Sequence, residues 1–213
     1  MAISIRRRPH FPTRGVTVVV LAAGSATRFG GAKLLAPLRG RPVLQHVLDA
    51  LTAAALARIV VVLGERAEGV EAAIAWPPGT ERVRNPRPAD GLASSLRIGV
   101  AAARGGGDPA AIVLALGDQP LLRPDVVRAL LAAAEPDRSV VVPRYADGSN
   151  PNPVVLRPAA YPLVDEATGD RGLGPVLAAH PEVVLEVEVT GSNPDVDTRD
   201  DLDRIQGAGS RVP

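Results

Sequence analysis

The stretch at residues 18–33 reads VVVLAAGSATRFGGAK. Its β-branched apolar run ends in a loop of small residues that carries one arginine, Arg28, and one lysine, Lys33. Small side chains let backbone N–H groups approach an anion closely. Two cations on one loop can neutralise a polyphosphate. The stretch therefore predicts a nucleoside triphosphate site at the end of a buried strand.

This loop differs from two familiar phosphate-binding patterns. In the Walker A pattern serine or threonine follows the lysine, whereas Leu34 follows Lys33. The dinucleotide fingerprint Gly-x-Gly-x-x-Gly is absent, which argues against a nicotinamide-dependent oxidoreductase. A flexible connection with its cations in water is the alternative. We expect backbone amides near Gly24 and Ser25 to hold phosphate oxygens, and Arg28 and Lys33 to stabilise the leaving pyrophosphate.

Composition limits the class of protein. The chain has 213 residues, 46% of them hydrophobic and 2% aromatic, so one aliphatic core can form. A net charge of +1 and few aromatics disfavour nucleic-acid binding, and the absence of cysteine excludes disulfides and zinc-thiolate sites. No apolar run is long enough to span a membrane. We expect a cytoplasmic protein with one domain over residues 15–206, between a disordered basic leader, 1–14, and a disordered tail, 207–213.

Apolar strands alternate with amphipathic helices along the chain. The fully apolar, β-branched strands predict an α/β fold with a Rossmann-like, mostly parallel sheet covered by helices on both faces. Predicted strands are 16–21, 59–63, 82–84, 112–116, 140–142, 154–156 and 183–189, and predicted helices begin near residues 42, 67, 92, 124 and 199. Ligands bind such sheets beyond the carboxyl ends of the strands. The polar clusters of this chain follow predicted strands, which places them at that edge.

Aspartates in two of these clusters are candidate metal ligands. Asp118 follows an apolar strand and Gly117, and a carboxylate beside a phosphate loop suits Mg²⁺. Asp195 and Asp197 are two residues apart, so an extended segment would turn them to one face. The alternatives are a turn cap for Asp118 and a helix start for the other two, with Thr198 as the N-cap.

Three further segments have weaker signals. The segment 85–96 places Gly91, Ser94 and Ser95 at a helix start, where they fit recognition of a base or ribose, although helix capping by Asp90 explains the same pattern. The segments 152–155 and 168–174 are rich in Gly, Pro and Asn, and we interpret them as acceptor-side loops. Surface charge is nearly as good an explanation for the second.

The combination of LAAGSATRFGGAK (21–33), NPRPADGLASSL (85–96), GDQP (117–120) and DVDT (195–198) resembles the molybdenum cofactor nucleotidyltransferases, and most of all the cytidylyltransferases among them. The resemblance covers about Val16 to Ile205. It implies a nucleotidyltransferase (nucleotide-diphospho-sugar transferase) fold and Mg²⁺-dependent transfer of a nucleoside monophosphate.

The resemblance also implies roles for individual residues. Arg28, Lys33 and Asp118 are the predicted catalytic residues. Asp118 and Asp197 are the predicted Mg²⁺ ligands, with Asp195 as a helper, and Ser95 is expected to touch the base. The nucleotide site is predicted to comprise Leu21, Ala22, Ala23, Gly24, Ser25, Arg28, Lys33, Asn85, Gly91, Ser94, Ser95 and Gly117. The acceptor side is predicted to comprise Gln119, Asn152, Pro153 and Asp195.

The implied reaction moves CMP from CTP to the phosphate of a small acceptor, molybdopterin or molybdenum cofactor, and releases pyrophosphate. Ala23 favours CTP because its methyl group takes space that a purine needs, whereas Phe29-Gly30-Gly31 is similar to the guanylyl members and keeps GTP open. A sugar phosphate, methylerythritol phosphate or phospholactate also stays open as the acceptor. So does a non-catalytic role, as the maturation partner of a molybdenum enzyme. We expect a monomer or weak homo-oligomer that binds neither nucleic acid nor membranes.

Overall fold

A computed structural model describes residues 15–24, 28–56, 58–64, 67–133, 135 and 137–208. The predicted leader, Ser25 of the predicted phosphate loop and positions 209–213 of the predicted tail lie outside these residues. In the described part of the chain, no helix is both long and apolar enough to cross a membrane.

Strands and helices alternate as the apolar runs predict. The strands are β1 (Val16–Ala22), β2 (Pro37–Leu38), β3 (Arg41–Pro42), β4 (Arg58–Leu63), β5 (Thr80–Arg84), β6 (Ala111–Leu116), β7 (Val140–Tyr145), β8 (Val154–Leu156) and β9 (Val184–Val189). The helices are α1 (Val43–Ala53), α2 (Ala67–Ala73), α3 (Leu92–Arg104), α4 (Pro124–Ala132), α5 (Leu163–Glu166), α6 (Gly174–Ala179) and α7 (Arg199–Ala208).

Seven strands form one sheet in the order β5-β4-β1-β6-β8-β7-β9, and β2 pairs with β3 in a separate hairpin. All neighbours in the large sheet are parallel except β8, which is antiparallel to both β6 and β7. The predicted α/β fold with a mostly parallel sheet is therefore confirmed. Reversal at β8 brings the loop between β7 and β8 to the carboxyl edge, beside the loops that follow β1 and β6.

Two apolar layers cover the sheet because successive residues of a strand point to opposite faces. Val18 and Val20 pack with α1, α2 and α4 on one face, and Val19 and Leu21 pack with α3, α5 and α6 on the other. A third cluster joins Phe29 and Leu38 to Leu202 and Ile205 of α7. This third cluster joins the predicted phosphate loop to α7.

Differences from the prediction occur where elements are short. Helices α5 and α6 have 4 and 6 residues, too few to show a 3.6-residue period in the sequence.

The predicted N-cap of α7 is confirmed, because the Asp201 backbone N–H donates to Thr198 Oγ1 at 3.2 Å. Helix α7 continues to Ala208, so residues 207 and 208, predicted as tail, are helical. Leu202 and Ile205 are buried, which stabilises these final turns.

Candidate active site

The loops at the carboxyl edge of the sheet enclose a cavity of about 690 Å³. Its wall includes residues that follow β1, β6 and β9, the start of α3, and two segments near β8 and α6. The lining residues are Leu21, Ala23, Gly24, Arg28, Lys33, Pro88, Gly91, Leu92, Ser95, Asp118, Asn150, Pro151, Asn152, Val154, Asp170, Arg171, Gly172, Leu173, Gly174, Leu177, Asp195 and Asp197. Most predicted site residues are among them.

Lys33 joins two distant aspartates in this cavity. Its ammonium donates to Asp118 Oδ2 at 2.6 Å and to Asp197 Oδ1 at 3.1 Å. Arg28 approaches the other oxygen of Asp197 at 3.2 Å, and its side chain is 77% exposed, whereas that of Lys33 is 11% exposed. The cluster therefore has an exposed outer cation and a buried inner one.

The charge balance explains the ionisation of Lys33. Burial by itself lowers the pKa of the Lys33 ammonium, but the charge and hydrogen bond of Asp118, with smaller help from Asp197, raise it above its usual value. A raised pKa in the folded state means that this ion pair stabilises the fold at neutral pH. Its contribution is lost only as pH rises through the alkaline pKa of the folded state.

Backbone contacts fix the position of Asp118. The N–H of Gly117 donates to Leu21 O at 2.9 Å, which continues the pairing of β1 with β6 past the last strand residue. The Asp118 carbonyl accepts from the Val196 N–H at 2.9 Å and so holds the segment after β9. Asp118 and Asp197 thus meet because the segment of Asp197 is hydrogen-bonded to the backbone of Asp118.

Two of the carboxylates fit a divalent cation. One ammonium contacts both Asp118 and Asp197, so both can reach a single positive charge, and hard oxygen donors suit Mg²⁺ or Mn²⁺. No group of three or more His, Cys, Asp or Glu side chains in the described part of the chain has metal-binding geometry. Two carboxylates are nevertheless enough for Mg²⁺, which completes its coordination with substrate phosphates and water.

The start of α3 also lines the cavity. Asn85, 4% exposed, donates through Nδ2 to Ser94 Oγ at 2.8 Å and to Ser95 Oγ at 2.9 Å. Ser95 lines the cavity as predicted, whereas Asn85 and Ser94 lie behind it. Gly91, with φ of 91°, lies against the backbone of Gly169. Gly91 therefore permits the close approach of the segment that carries Arg171.

We expect Gly91→Ala to lower the free energy of unfolding by about 3–4 kcal/mol. An added Cβ would lie 2.5 Å from the carbonyl carbon of Gly169, in a backbone conformation that disfavours alanine. Gly107→Ala is the matched control, because its φ is 107° but nothing lies within 4 Å of the new Cβ. Urea unfolding should show a loss of about 1–2 kcal/mol for this control. Equal losses in the two variants would contradict the close packing at Gly91.

Some predicted residues lie outside the cavity wall. Ala22 packs in the core on the α1 face, and a Cβ on Gly117 would meet Ala22 Cβ at 3.1 Å, so both lie beneath the loop that follows β1. Gln119 is 2% exposed and donates to Asp195 Oδ1 at 2.8 Å, so it contacts a carboxylate rather than the open cavity. Pro153 is buried after the cis Asn152–Pro153 bond, and only Asn152 of this pair reaches the wall.

Asp195 differs from the other two aspartates of the site. Burial, with the nearby charge of Asp118, raises its pKa. Both of its oxygens accept hydrogen bonds from side-chain amides, those of Gln119 and Asn150, at 2.8 Å. The predicted role of Asp195 as a metal helper stays a prediction, and its hydrogen bonds to two amides set it apart from Asp118 and Asp197, which contact an ammonium.

Sequence reasoning missed several lining residues. Asn150 and Leu177 had no motif of their own, and only their neighbours in the loop and in α6 place them at the cavity. The segment 168–174 had a weak signal as an acceptor-side loop, and the structure puts Arg171 and Leu173 in the wall. The glycines around Asp170 and Arg171 are the signal by which the sequence analysis identified this segment.

Comparison with known proteins gives a consistent result. The family model of the MobA-like NTP transferase domain matches residues 18–183. Rv0371c from Mycobacterium tuberculosis H37Rv is 34% identical with a TM-score of 0.79, and the match covers 90% of this chain and 97% of that one. A second structure of Rv0371c, in complex with manganese, has a TM-score of 0.76 at 33% identity, and the match covers 91% of this chain and 98% of that one.

Two other relatives are similar over different lengths. A nucleotidyl transferase from Methanothermobacter is 27% identical with a TM-score of 0.72, and the match covers 92% of this chain and 98% of that one. The bifunctional protein GlmU of Burkholderia thailandensis is 39% identical over 122 residues. Those residues are 56% of this chain and 26% of GlmU, so this chain matches only about a quarter of that protein.

Proposed function

Because the chain belongs to the family of MobA-like NTP transferase domains, we propose that it transfers CMP from CTP to the phosphate of molybdopterin or molybdenum cofactor and releases pyrophosphate. One observation carries this proposal: the ammonium of Lys33 contacts Asp118 and Asp197 at the wall of a 690 Å³ cavity. Anion-binding cations and cation-binding carboxylates at one place are what a complex of metal and triphosphate requires.

Different residues of the site would contribute to different parts of the nucleotidyl transfer. An oxygen of the acceptor phosphate attacks the α-phosphorus in line, the bond to the pyrophosphate oxygen breaks, and pyrophosphate leaves. The attacking phosphate is already anionic, so alignment and charge neutralisation replace a strong general base. Lys33 and Arg28 would bind the β- and γ-phosphates and offset the charge that develops on the leaving group.

A divalent cation held by Asp118 and Asp197 would supply positive charge beside the α-phosphate. The structure of Rv0371c with manganese supports a divalent metal in this family. We propose Mg²⁺ for this chain because two carboxylates, phosphate oxygens and water form its usual coordination. Lys33 would then exchange its contacts with the two aspartates for contacts with the phosphates of the nucleotide.

The proposed preference for CTP depends on Ala23. Ala23 lines the cavity and is 7% exposed. Its carbonyl oxygen lies so close to Gly64 that a Cβ added to Gly64 would be only 2.5 Å from this oxygen. The main chain of Ala23 therefore packs closely against the residue that follows β4. We propose that the methyl group occupies space that a purine base would need.

We expect Ala23→Gly to raise the ratio of kcat/KM for GTP to that for CTP by about tenfold, the usual effect of one methyl group in a pocket. Pyrophosphate release with each nucleotide measures the ratio. Ala22→Gly is the matched control, because the Ala22 methyl group packs in the core on the other face. An unchanged ratio in Ala23→Gly would contradict the steric basis of base choice.

Activity with a panel of nucleotides and acceptors tests the proposed function as a whole. CTP, GTP, ATP and UTP are combined with molybdopterin, a sugar 1-phosphate, methylerythritol phosphate and phospholactate, and pyrophosphate is measured. We expect the highest rate with CTP and molybdopterin. Transfer to another acceptor would contradict the proposed acceptor and support the proposed nucleotidyl transfer. Nucleotide-dependent thermal stabilisation without pyrophosphate in any combination would favour a non-catalytic binding protein.

A further inference from the structure

Asp195 is the centre of a network of amides between two loops. Gln119 Nε2 donates to its Oδ1 and Asn150 Nδ2 donates to its Oδ2, both at 2.8 Å. An ionised carboxylate only accepts hydrogen bonds, so both amides must turn their NH₂ groups toward it. Gln119 directly follows Asp118, whereas Asn150 lies in the loop between β7 and β8. One side chain therefore connects these two segments.

The orientation of Gln119 determines that of the next amide. With Nε2 turned to Asp195, its Oε1 accepts from Asn193 Nδ2 at 3.1 Å. The same Nδ2 donates to the carbonyl of Asn152 at 3.3 Å. Gln119 and Asn193 are 2% and 1% exposed, so a reversed amide would set oxygen against oxygen in a buried place. Orientation passes from Asp195 through two buried amides to the backbone of the loop.

Tyr145 closes the network on the other side of the loop. Its hydroxyl donates to the same carbonyl of Asn152 at 2.9 Å. Burial raises the pKa of Tyr145 to about 12, so the hydroxyl remains a donor at neutral pH. The carbonyl of Asn152 thus accepts one hydrogen bond from the network and one from the end of β7.

We propose that Asp195 is a positioning residue whose carboxylate orients Gln119, Asn150 and Asn193 and so holds residues 150–153 against the loop of Asp118. This inference deepens the proposed function and rests on it, because residues 150–152 line the proposed acceptor side of the cavity. Asp118 and Asp197 share a cation, whereas the described residues around Asp195 surround it with amides. The three aspartates of one cluster have two different tasks.

Reversing the polarity of one pair tests the proposal in the full-length chain. Asp195→Asn sets a new NH₂ group against that of Gln119 or Asn150. Adding Gln119→Glu restores an acceptor between positions 195 and 193, and the oxygen of the new amide can still accept from Asn150. The double variant has the same net charge as the wild type. Every hydrogen bond of the network is again possible, with the carboxylate moved by one position.

Hydrogen exchange and Mn²⁺ binding are the readouts that need no acceptor. In Asp195→Asn we expect amide exchange in residues 146–156 to rise by about tenfold, and the double variant to return near the wild-type rate. Mn²⁺ affinity, measured by electron paramagnetic resonance, should change by less than about twofold in Asp195→Asn, whereas loss of a metal ligand would lower it by about tenfold or more. Asn150→Ala, at an exposed position, should raise exchange in the same segment without disturbing the core.

Asp170→Asn is the matched control. Asp170 also lines the cavity, and its substitution removes the same charge without breaking a hydrogen bond between the two loops. In Asp170→Asn, amide hydrogen exchange in residues 146–156 should equal that of the wild type. With an acceptor from the activity panel, Asp195→Asn should raise the KM for the acceptor by about tenfold and leave the KM for CTP nearly unchanged.

Three results would overturn the proposal: unchanged exchange in Asp195→Asn, a tenfold weaker Mn²⁺ affinity, or a double variant as impaired as the single one. The exchange and metal measurements are independent of turnover. If no nucleotide is transferred in any combination while the double variant restores slow exchange, the proposed function fails and the positioning role stands.

Discussion

Asp118→Ala is expected to reduce the rate of pyrophosphate release by at least about a thousandfold at saturating Mg²⁺, because a metal contributes several kcal/mol of charge stabilisation to such a transfer. The fold should remain, since Lys33 keeps its contact with Asp197 at 3.1 Å when Asp118 is removed. The Asp118 carbonyl that holds Val196 belongs to the backbone and is unaffected. Loss of activity without loss of structure would identify a chemical role.

Thermal unfolding and turnover are measured on the same preparations. Asp90→Ala is the control, because Asp90 is an exposed aspartate near the start of α3 that pairs with Arg87 and does not line the cavity. We expect this control to retain wild-type turnover. Wild-type turnover in Asp118→Ala would refute the metal role, and a collapse of its unfolding transition would show that the residue is structural.

Lys33→Met is expected to have two opposite effects. Transfer should fall by about a hundredfold or more, because the charge beside the leaving pyrophosphate is lost. Mn²⁺ affinity in the absence of nucleotide should rise by about threefold or more, because the ammonium no longer competes for the two carboxylates. A residue that only supported the fold would not strengthen metal binding when it is removed.

Single-turnover rates and Mn²⁺ titration separate these effects. Lys33→Arg is the control that keeps the positive charge near Asp118 and Asp197, and its Mn²⁺ affinity should stay close to that of the wild type. A weaker Mn²⁺ affinity in Lys33→Met would mean that the lysine organises the carboxylates rather than competing with the metal. An unchanged single-turnover rate would remove Lys33 from the mechanism.

Local patterns in the sequence were enough for the sheet. The runs at 18–21, 59–63 and 112–116 are apolar and β-branched, and they become the adjacent central strands β1, β4 and β6. A strand that is buried on both faces needs apolar residues at nearly every position, so an unbroken apolar run indicates such a strand. The short helices α5 and α6 lacked this advantage, because 4 or 6 residues give no period to detect.

Residue types also located much of the candidate site. Small residues with Arg28 and Lys33 after a strand, and aspartates after other strands, share the carboxyl edge because parallel strands end there. The grouping of Lys33 with Asp118 and Asp197 was predicted on this basis, and the structure brings their side chains within hydrogen-bond distance. The chemical roles of these residues are proposals, which the variants Asp118→Ala and Lys33→Met test.

Local patterns of residues thus reveal the strands, the phosphate-type loop and the set of charged residues at one edge of the sheet. Which oxygen meets which donor depends on the folding of the whole chain, because Lys33 is 85 residues from Asp118 and 164 from Asp197 along the chain. The tertiary structure also separates Asp195 from Asp197, two aspartates that look alike in sequence. Asp197 lies next to an ammonium and Asp195 lies between two amides, so only their neighbours in the folded chain distinguish them. One of these neighbours, Asn150, belongs to the loop that leads into the antiparallel strand β8.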